Sequence, residues 1–246
     1  MNSPVRVERD GQVTTLALNR PEKRNALSAE LVDAMLTTLK TAQADGTRLL
    51  ILRGEGKGFS GGFDFGAVKD QSDGDLALRF IRLEMVLQAL YHGPFATLAL
   101  AHGACYGAAA DMVCCCSRRI AAPGTRFRMP GLRFGITLGT RRLRDVVGPD
   151  AARQLLETSP VFDAEHALGR NFLTAIKTQG QWPSAIEEAR SAATDLPADA
   201  HRLLLRQTVE DRRADDLAAL VQSVAQPGLK ERILAFVSGN PPGKSR

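Results

Sequence analysis

Two short apolar runs that each empty into a glycine-rich loop constrain this chain more than any other feature. "TRLLILRG" leads into "GEGKGFSGGFDFG", and "FATLALA" leads into "HGACYGAAADM". A continuous apolar run bounded by glycine is the pattern of a strand buried on both faces. Such a strand belongs to a sheet with helices on either side, which makes the chain an α/β protein. The flanking segments agree. "VRVERDGQVTTLALNR" reads as two strands around an Asp10-Gly11 turn. Ser28 is placed to cap a helix carrying Leu31, Met35 and Leu39 on one face. "DLALRFIRLEMVLQALY" reads as a helix with Leu76, Phe80, Leu83, Leu87 and Leu90 along one stripe. After residue 140 the pattern is mostly helical, with a short strand in "FLTAIK" and further helices near 184–195, 199–210, 214–225 and 229–238. The tail "GNPPGKSR" is expected to be disordered. We therefore expect a core domain over 1–190 and a C-terminal helical appendage over 191–246, serving as an oligomerisation or lid region.

Both glycine loops leave corresponding ends of their strands, where open α/β sheets place a ligand crevice. Gly56-Lys57-Gly58-Phe59-Ser60-Gly61 has the form G-x-G-x-x-G. A dinucleotide site needs a helix to open there and an acid at the end of the next strand. Here "GFDFGAVKD" follows instead, and Lys57 is followed by glycine rather than the serine or threonine of a phosphate-binding loop. Taken together, the loops suit another task. Glycine lets a ligand approach backbone N–H groups closely, and two such loops can aim one N–H each at a single carbonyl oxygen.

The net charge is +5, but the arginines are scattered and aromatic residues make up only 5%, so there is no clustered basic face with stacking residues for nucleic acid. No stretch approaches the roughly 20 apolar residues of a membrane helix. The N-terminal "MNSPVRVERDGQ" lacks a secretory apolar run, so a cytoplasmic protein is expected. Cys105, Cys114, Cys115 and Cys116 match no zinc spacing and read as buried thiols. No metal site is expected.

Six segments in order resemble the crotonase (enoyl-CoA hydratase/isomerase) superfamily over nearly the whole chain: "LNRPEKRNALS", "GKGFSGGFDF", "GACYGAAAD", "TRRL", "VFDAEHAL" and "LKERILAF". The resemblance implies a crotonase-like spiral of ββα units with helices behind it, assembled as a homotrimer or homohexamer. It implies an acyl-CoA thioester as substrate, with coenzyme A part of that substrate and no separate cofactor. The thioester oxygen would sit between the N–H groups of Phe63, after Gly61 and Gly62, and of Ala108. Lys23, Arg24, Asn25 and Ala26 would flank the CoA arm, and Asp64 and Phe65 within "FDFG" would line the pantetheine and adenine path. The shared chemistry is stabilisation of a thioester enolate.

The chain departs from the pattern where the family keeps two glutamates. The first position is Asp111, and the second, in "MPGLRFG", is Gly131, which carries no proton. "LGTRRL" is also shorter than the corresponding family loop, and "PFATLALAHG" is longer. The two-acid hydration mechanism therefore lacks a member, and an isomerase or another reaction needing a single acid is expected. Asp111 has two readings, a proton-shuttling base or a helix cap with a lowered pKa. Glu84 and Asp145 are read as packing or surface acids, and His102 as a residue that ties its turn. Two rival functions stay open: a catalytically inactive acyl-CoA-binding member of the family, and an NAD(P)-dependent oxidoreductase.

Overall fold

The computed structural model describes residues 3–239, so the tail expected to be disordered lies, beyond Gly239, outside the described residues. The strands are β1 (Val5–Asp10), β2 (Val13–Leu18), β3 (Leu49–Gly54), β4 (Ala96–Ala101), β5 (Ala104–Tyr106), β6 (Arg118–Ala121), β7 (Arg126–Arg128), β8 (Phe162–Asp163) and β9 (Ala175–Ile176). The main sheet runs β1-β2-β3-β4-β6-β9, and a small second sheet runs β5-β7-β8. β1 and β2 are antiparallel, and every later pairing in the main sheet is parallel. Asp10 pairs with Val13, so the hairpin turn is Gly11-Gln12, one place later than the sequence suggested, with Gly11 at φ +56°.

The helices that concern the site are α1 (Ala29–Ala44), α2 (Asp73–Tyr91), α3 (Ala108–Cys114) and α4 (Thr140–Val147). Two main-sheet strands feed a short strand of the second sheet and then a helix: β4 leads to β5 and α3, and β6 to β7 and α4. After β3 the short segment is held by single bridges, Ser60 to Cys105 and Leu27 to Phe63, before α2 begins. Ser28 caps α1 by accepting the Leu31 N–H, and Ser72 with Asp75 forms a capping box at the start of α2.

The apolar run of β3 is explained by its two neighbours. Leu50 and Leu52 enter the larger core under α1 and α2, while Leu49 and Ile51 face the other way, against Ala185, Ala189 and Ala193 of a long helix over Trp182–Thr194. We number the remaining helices α5 (Pro149–Thr158), α6 (Ala164–Gly169), α7 (Trp182–Thr194), α8 (Ala198–Gln207), α9 (Arg213–Val224) and α10 (Leu229–Val237). The last four fall on the helical segments expected from the sequence. α9 and α10 send Leu220, Val224, Leu229 and Ile233 into the larger core. The strand expected in "FLTAIK" shrinks to β9, because Phe172 turns inward to pack on Phe127 and Phe162 at ring-centroid distances of 5.1 and 5.6 Å. No helix of the described residues is long and apolar enough to cross a membrane.

Candidate active site

Three segments meet at one edge of the sheet, stitched by backbone bonds as adjacent strands would be. The Ser60 N–H donates to the Ala104 carbonyl and the Tyr106 N–H to the Ser60 carbonyl, each at 3.1 Å. Gly62, at φ +85°, lies so close to the Tyr106 carbonyl that no β-carbon fits, and only glycine closes this junction. The Leu27 N–H donates to the Gly62 carbonyl at 2.8 Å, and the Asp64 N–H to the Leu27 carbonyl at 3.4 Å. These bonds engage the neighbours of Phe63 on one side of the chain and leave the Phe63 N–H on the other, with no partner among the described residues. Gly107, at φ +56°, turns the chain into α3, and the Ala108 N–H at the first helical position is also unpartnered.

Both N–H groups belong to residues that line one small cavity of about 60 Å³, whose wall is otherwise largely apolar, with Phe80, Ile136, Leu138 and Leu156 among its members. A wider groove of about 740 Å³, lined by Pro21, Arg24, Lys57 and Ala104, adjoins it through the shared residues Gly61 and Tyr106. A large groove thus opens, at Gly61 and Tyr106, onto the small and largely apolar cavity that Phe63 and Ala108 line.

Asp111 is the carboxylate that lines this cavity. It stands one turn into α3, is 6% exposed, and its Oδ1 is buried with no hydrogen-bond partner among the described residues. Burial pushes its pKa well above the usual carboxylate range; Arg142 partly offsets this and Glu84 adds to it. The capping alternative is therefore overturned: the carboxyl caps nothing, and its pKa moves in the direction opposite to a cap's.

Behind Asp111 lies a buried ion pair. Arg142 donates to Glu84 at 2.6 and 3.0 Å, both side chains are 1% exposed, and Asp216 of α9 approaches Arg142 at 2.9 Å. Burial works against the Arg142 charge, but the hydrogen bonds it donates to Glu84 more than restore it. Glu84 is thus a packing acid, as expected, and Asp145 pairs at the surface with Arg144 at 2.7 Å. The Thr140 hydroxyl, which sequence reasoning passed over, also lines the cavity, and its oxygen is buried without a partner. Its signal lay in "TRRL", whose first residue faces the cavity and whose second arginine is Arg142.

The residues expected to hold CoA divide into two groups. Lys23 and Arg24 are exposed, and Arg24 lines the groove; Gly61 lines both spaces, and its N–H donates to the Arg24 carbonyl at 2.9 Å. The others are committed to the loop itself. Asn25 is fully buried, with its amide donating to the carbonyls of Glu55, Gly58 and Phe59 at 2.8–3.1 Å and its oxygen accepting from the Arg20 N–H. Its side chain pins its own loop to the loop that follows β3. The Ala26 carbonyl accepts from Arg20 at 2.7 Å. Asp64 pairs with Arg20 and accepts from the Gly66 N–H, both at 3.0 Å. Partial burial raises its pKa, but the Gly66 N–H and Arg20 outweigh this and hold the carboxyl below its usual value. Phe65 lines the apolar cavity rather than the groove, with its ring 5.3 Å from Phe63 and 6.2 Å from Phe134.

His102 ties its turn as expected, its Nε2 lying 2.9 Å from the Gly56 carbonyl. The cysteines are buried, and burial pushes the Cys114 and Cys116 thiols up to about 12, so they are not nucleophiles at neutral pH. Among the described residues no group of three or more histidines, cysteines or acids is arranged to hold a metal ion.

Comparison with known proteins bears on the family and the fold. The sequence pattern of the enoyl-CoA hydratase/isomerase family matches residues 8–226. A crystal structure from Bordetella parapertussis carrying the description enoyl-CoA hydratase/isomerase superposes with a TM-score of 0.95 at 45% identity, covering 96% of this chain and 99% of that one. A Mycobacterium leprae protein named as a probable enoyl-CoA hydratase is 30% identical over 74% of this chain and 79% of its own length. A mitochondrial Delta(3,5)-Delta(2,4)-dienoyl-CoA isomerase of Dictyostelium discoideum is 26% identical over 83% of this chain and 74% of its own length.

Proposed function

The chain belongs to the enoyl-CoA hydratase/isomerase family of enzymes, and from that premise we propose that it moves a double bond within an acyl-CoA thioester by a proton shuttle through Asp111 alone. The observation that carries this reading is that Asp111 is the single carboxylate among the residues lining the cavity, unpartnered and facing it, while Gly131 occupies the second acidic position of the family pattern.

The thioester oxygen accepts from the N–H groups of Phe63 and Ala108. With Asp111 ionised, its carboxylate takes a proton from C2 of a 3-enoyl thioester. The electron pair delocalises into the thioester, and the negative charge gathers on the oxygen held by the two N–H groups. The same carboxyl, its proton exchanging with solvent, then delivers a proton to C4, leaving a 2-enoyl thioester with no net change in atoms. Two backbone donors suit this step because they need no reorganisation as charge develops. The raised pKa of Asp111 brings a carboxylate closer to neutrality, where a base is more effective. Water addition would need a second group to deliver a proton to C2, and the cavity offers no second carboxyl.

The groove beside Arg24 and Lys57 takes the CoA arm in this reading, with coenzyme A arriving as part of the substrate. The dinucleotide alternative has no support, since no helix opens at Gly61 and α2 begins only at Asp73. Assembly as a trimer or hexamer, which the family resemblance implies, fits Leu196 together with Leu203 and Leu204 of α8, all exposed; sedimentation of the purified protein tests it.

Incubation with but-3-enoyl-CoA, followed by chromatography and mass spectrometry, tests the reaction. The expected product is but-2-enoyl-CoA of unchanged mass. A product heavier by one water would assign hydration instead, and no product from any short enoyl-CoA would leave a binding protein.

A further inference from the structure

The distal wall of the cavity is not self-supporting. Phe134, Ile136, Leu138 and Thr140 all line it; the first three lie on the strap between Pro130 and α4, and Thr140 opens α4. This strap hangs from the C-terminal helices. Arg232 of α10 donates to the Phe134 carbonyl at 2.8 Å with one nitrogen, and to the carbonyls of Ser223 and Gln226 at 3.1 Å with the other. Thr137 donates through its N–H to the Ser223 hydroxyl at 3.2 Å and through its own hydroxyl to the Ala219 carbonyl at 3.0 Å. Arg141 closes the far end on Asp216 at 2.6 and 2.9 Å. Phe236 of α10 backs the Phe134 ring at 4.9 Å. Gly135 at φ +77° completes the seat, since the Arg232 guanidinium lies where its β-carbon would be.

A wall held this way sets a depth. The cavity is small, about 60 Å³. A long acyl chain that pushes the strap off α9 and α10 breaks the Arg232 and Thr137 bonds together.

We propose that Arg232 is a specificity-determining positioning residue: by hanging the strap on the C-terminal helices it closes the cavity behind short acyl groups and excludes long fatty acyl chains. The inference rests on the acyl-CoA reading above. Arg232 itself touches no substrate in this account, so its effect is read as a change in chain-length preference at constant affinity for the CoA moiety.

The test is calorimetric titration of the purified protein with free CoA and with acetyl-, butyryl-, hexanoyl-, octanoyl- and dodecanoyl-CoA. Wild-type affinity should rise to butyryl- or hexanoyl-CoA and fall by about tenfold or more at dodecanoyl-CoA. Arg232→Met should flatten that fall while affinity for free CoA stays within about twofold. Leu138→Ala, which deepens the cavity without touching the α10 bonds, should also extend the accepted length and keeps the depth claim testable if Arg232→Met does not fold. Wild-type protein that binds dodecanoyl-CoA as tightly as butyryl-CoA would overturn the inference while leaving the acyl-CoA reading intact. A folded Arg232→Met variant with the wild-type cutoff would overturn the role of Arg232. Failure to bind free CoA or any thioester would overturn both the inference and the reading it rests on.

Discussion

Gly139, at φ +68°, lies so close to the carboxyl of Asp111 that no β-carbon fits between them. The contact joins the last residue before α4 to α3, one turn in. Burial of an unpartnered carboxyl is costly, and a chain tolerates it where the proton has work to do.

Asp111 makes stability depend on pH in a direction opposite to a paired surface carboxylate. The folded protein holds the Asp111 proton to a higher pH than the unfolded chain does. Folding therefore takes up a proton once pH exceeds the unfolded value, about 4. Above that point this group's contribution to stability falls by about 1.4 kcal/mol per pH unit until the folded pKa is reached, and is then constant. Asp111→Asn removes the loss, so urea titrations at about pH 4 and pH 7 should show the variant gaining on wild type as pH rises. The same variant should lack isomerase activity. In the wild type kcat/KM should climb with pH through the raised pKa, because the base is the ionised form.

Ala108→Pro removes one of the two N–H groups proposed to hold the thioester oxygen. Proline is tolerated at the first position of a helix, so the variant should fold and keep its circular dichroism. Loss of one such donor costs about 2.7–4 kcal/mol in the transition state, so kcat should fall about 10²–10³-fold. A drop of that size with little change in thermal midpoint distinguishes lost catalysis from lost structure.

Gly62→Ala should damage both. The new methyl group meets the Tyr106 carbonyl, and φ +85° is unfavourable for any residue with a β-carbon. A left-handed conformation alone costs roughly 1–2 kcal/mol, and the steric conflict adds to it. We expect a lower thermal midpoint and weaker binding of butyryl-CoA, since the Phe63 N–H moves with Gly62.

The buried pair behind Asp111 makes a separate prediction. Glu84→Leu leaves Arg142 in the core with Asp216 as its remaining partner. Removing one member of a buried pair costs about 3–5 kcal/mol, and the presence of Asp216 places the expected loss near 3 kcal/mol, measurable by urea denaturation.

Much of this was legible in the sequence. β3 and β4 announced themselves as apolar runs between glycines because both faces of the sheet are covered, and Ser28 and the α2 stripe followed from capping and periodicity. The two N–H groups followed from the family pattern around Gly62 and Gly107, where glycine is dictated by close approach and positive φ. The roles of Asn25, Asp64 and Phe65 were not legible. Motif position places them near the ligand path, but only the fold shows that Asn25 spends its amide on three carbonyls, that Arg20 engages Asp64, and that Phe65 turns to the apolar end. Arg232 was equally hidden. It gains its place from partners far away in the chain, which periodicity and local spacing do not encode.

The central claim is that Asp111 alone carries a proton to and from an enolate held by two N–H groups. It is tested most directly by incubating but-2-enoyl-CoA in heavy water with wild-type protein and with Asp111→Asn, and following hydrogen exchange at C2 and C4 by mass spectrometry and NMR. The account predicts deuterium entering the recovered thioester with wild type, and none above the enzyme-free rate with Asp111→Asn. Exchange of equal rate in both proteins, or none in either, would contradict it.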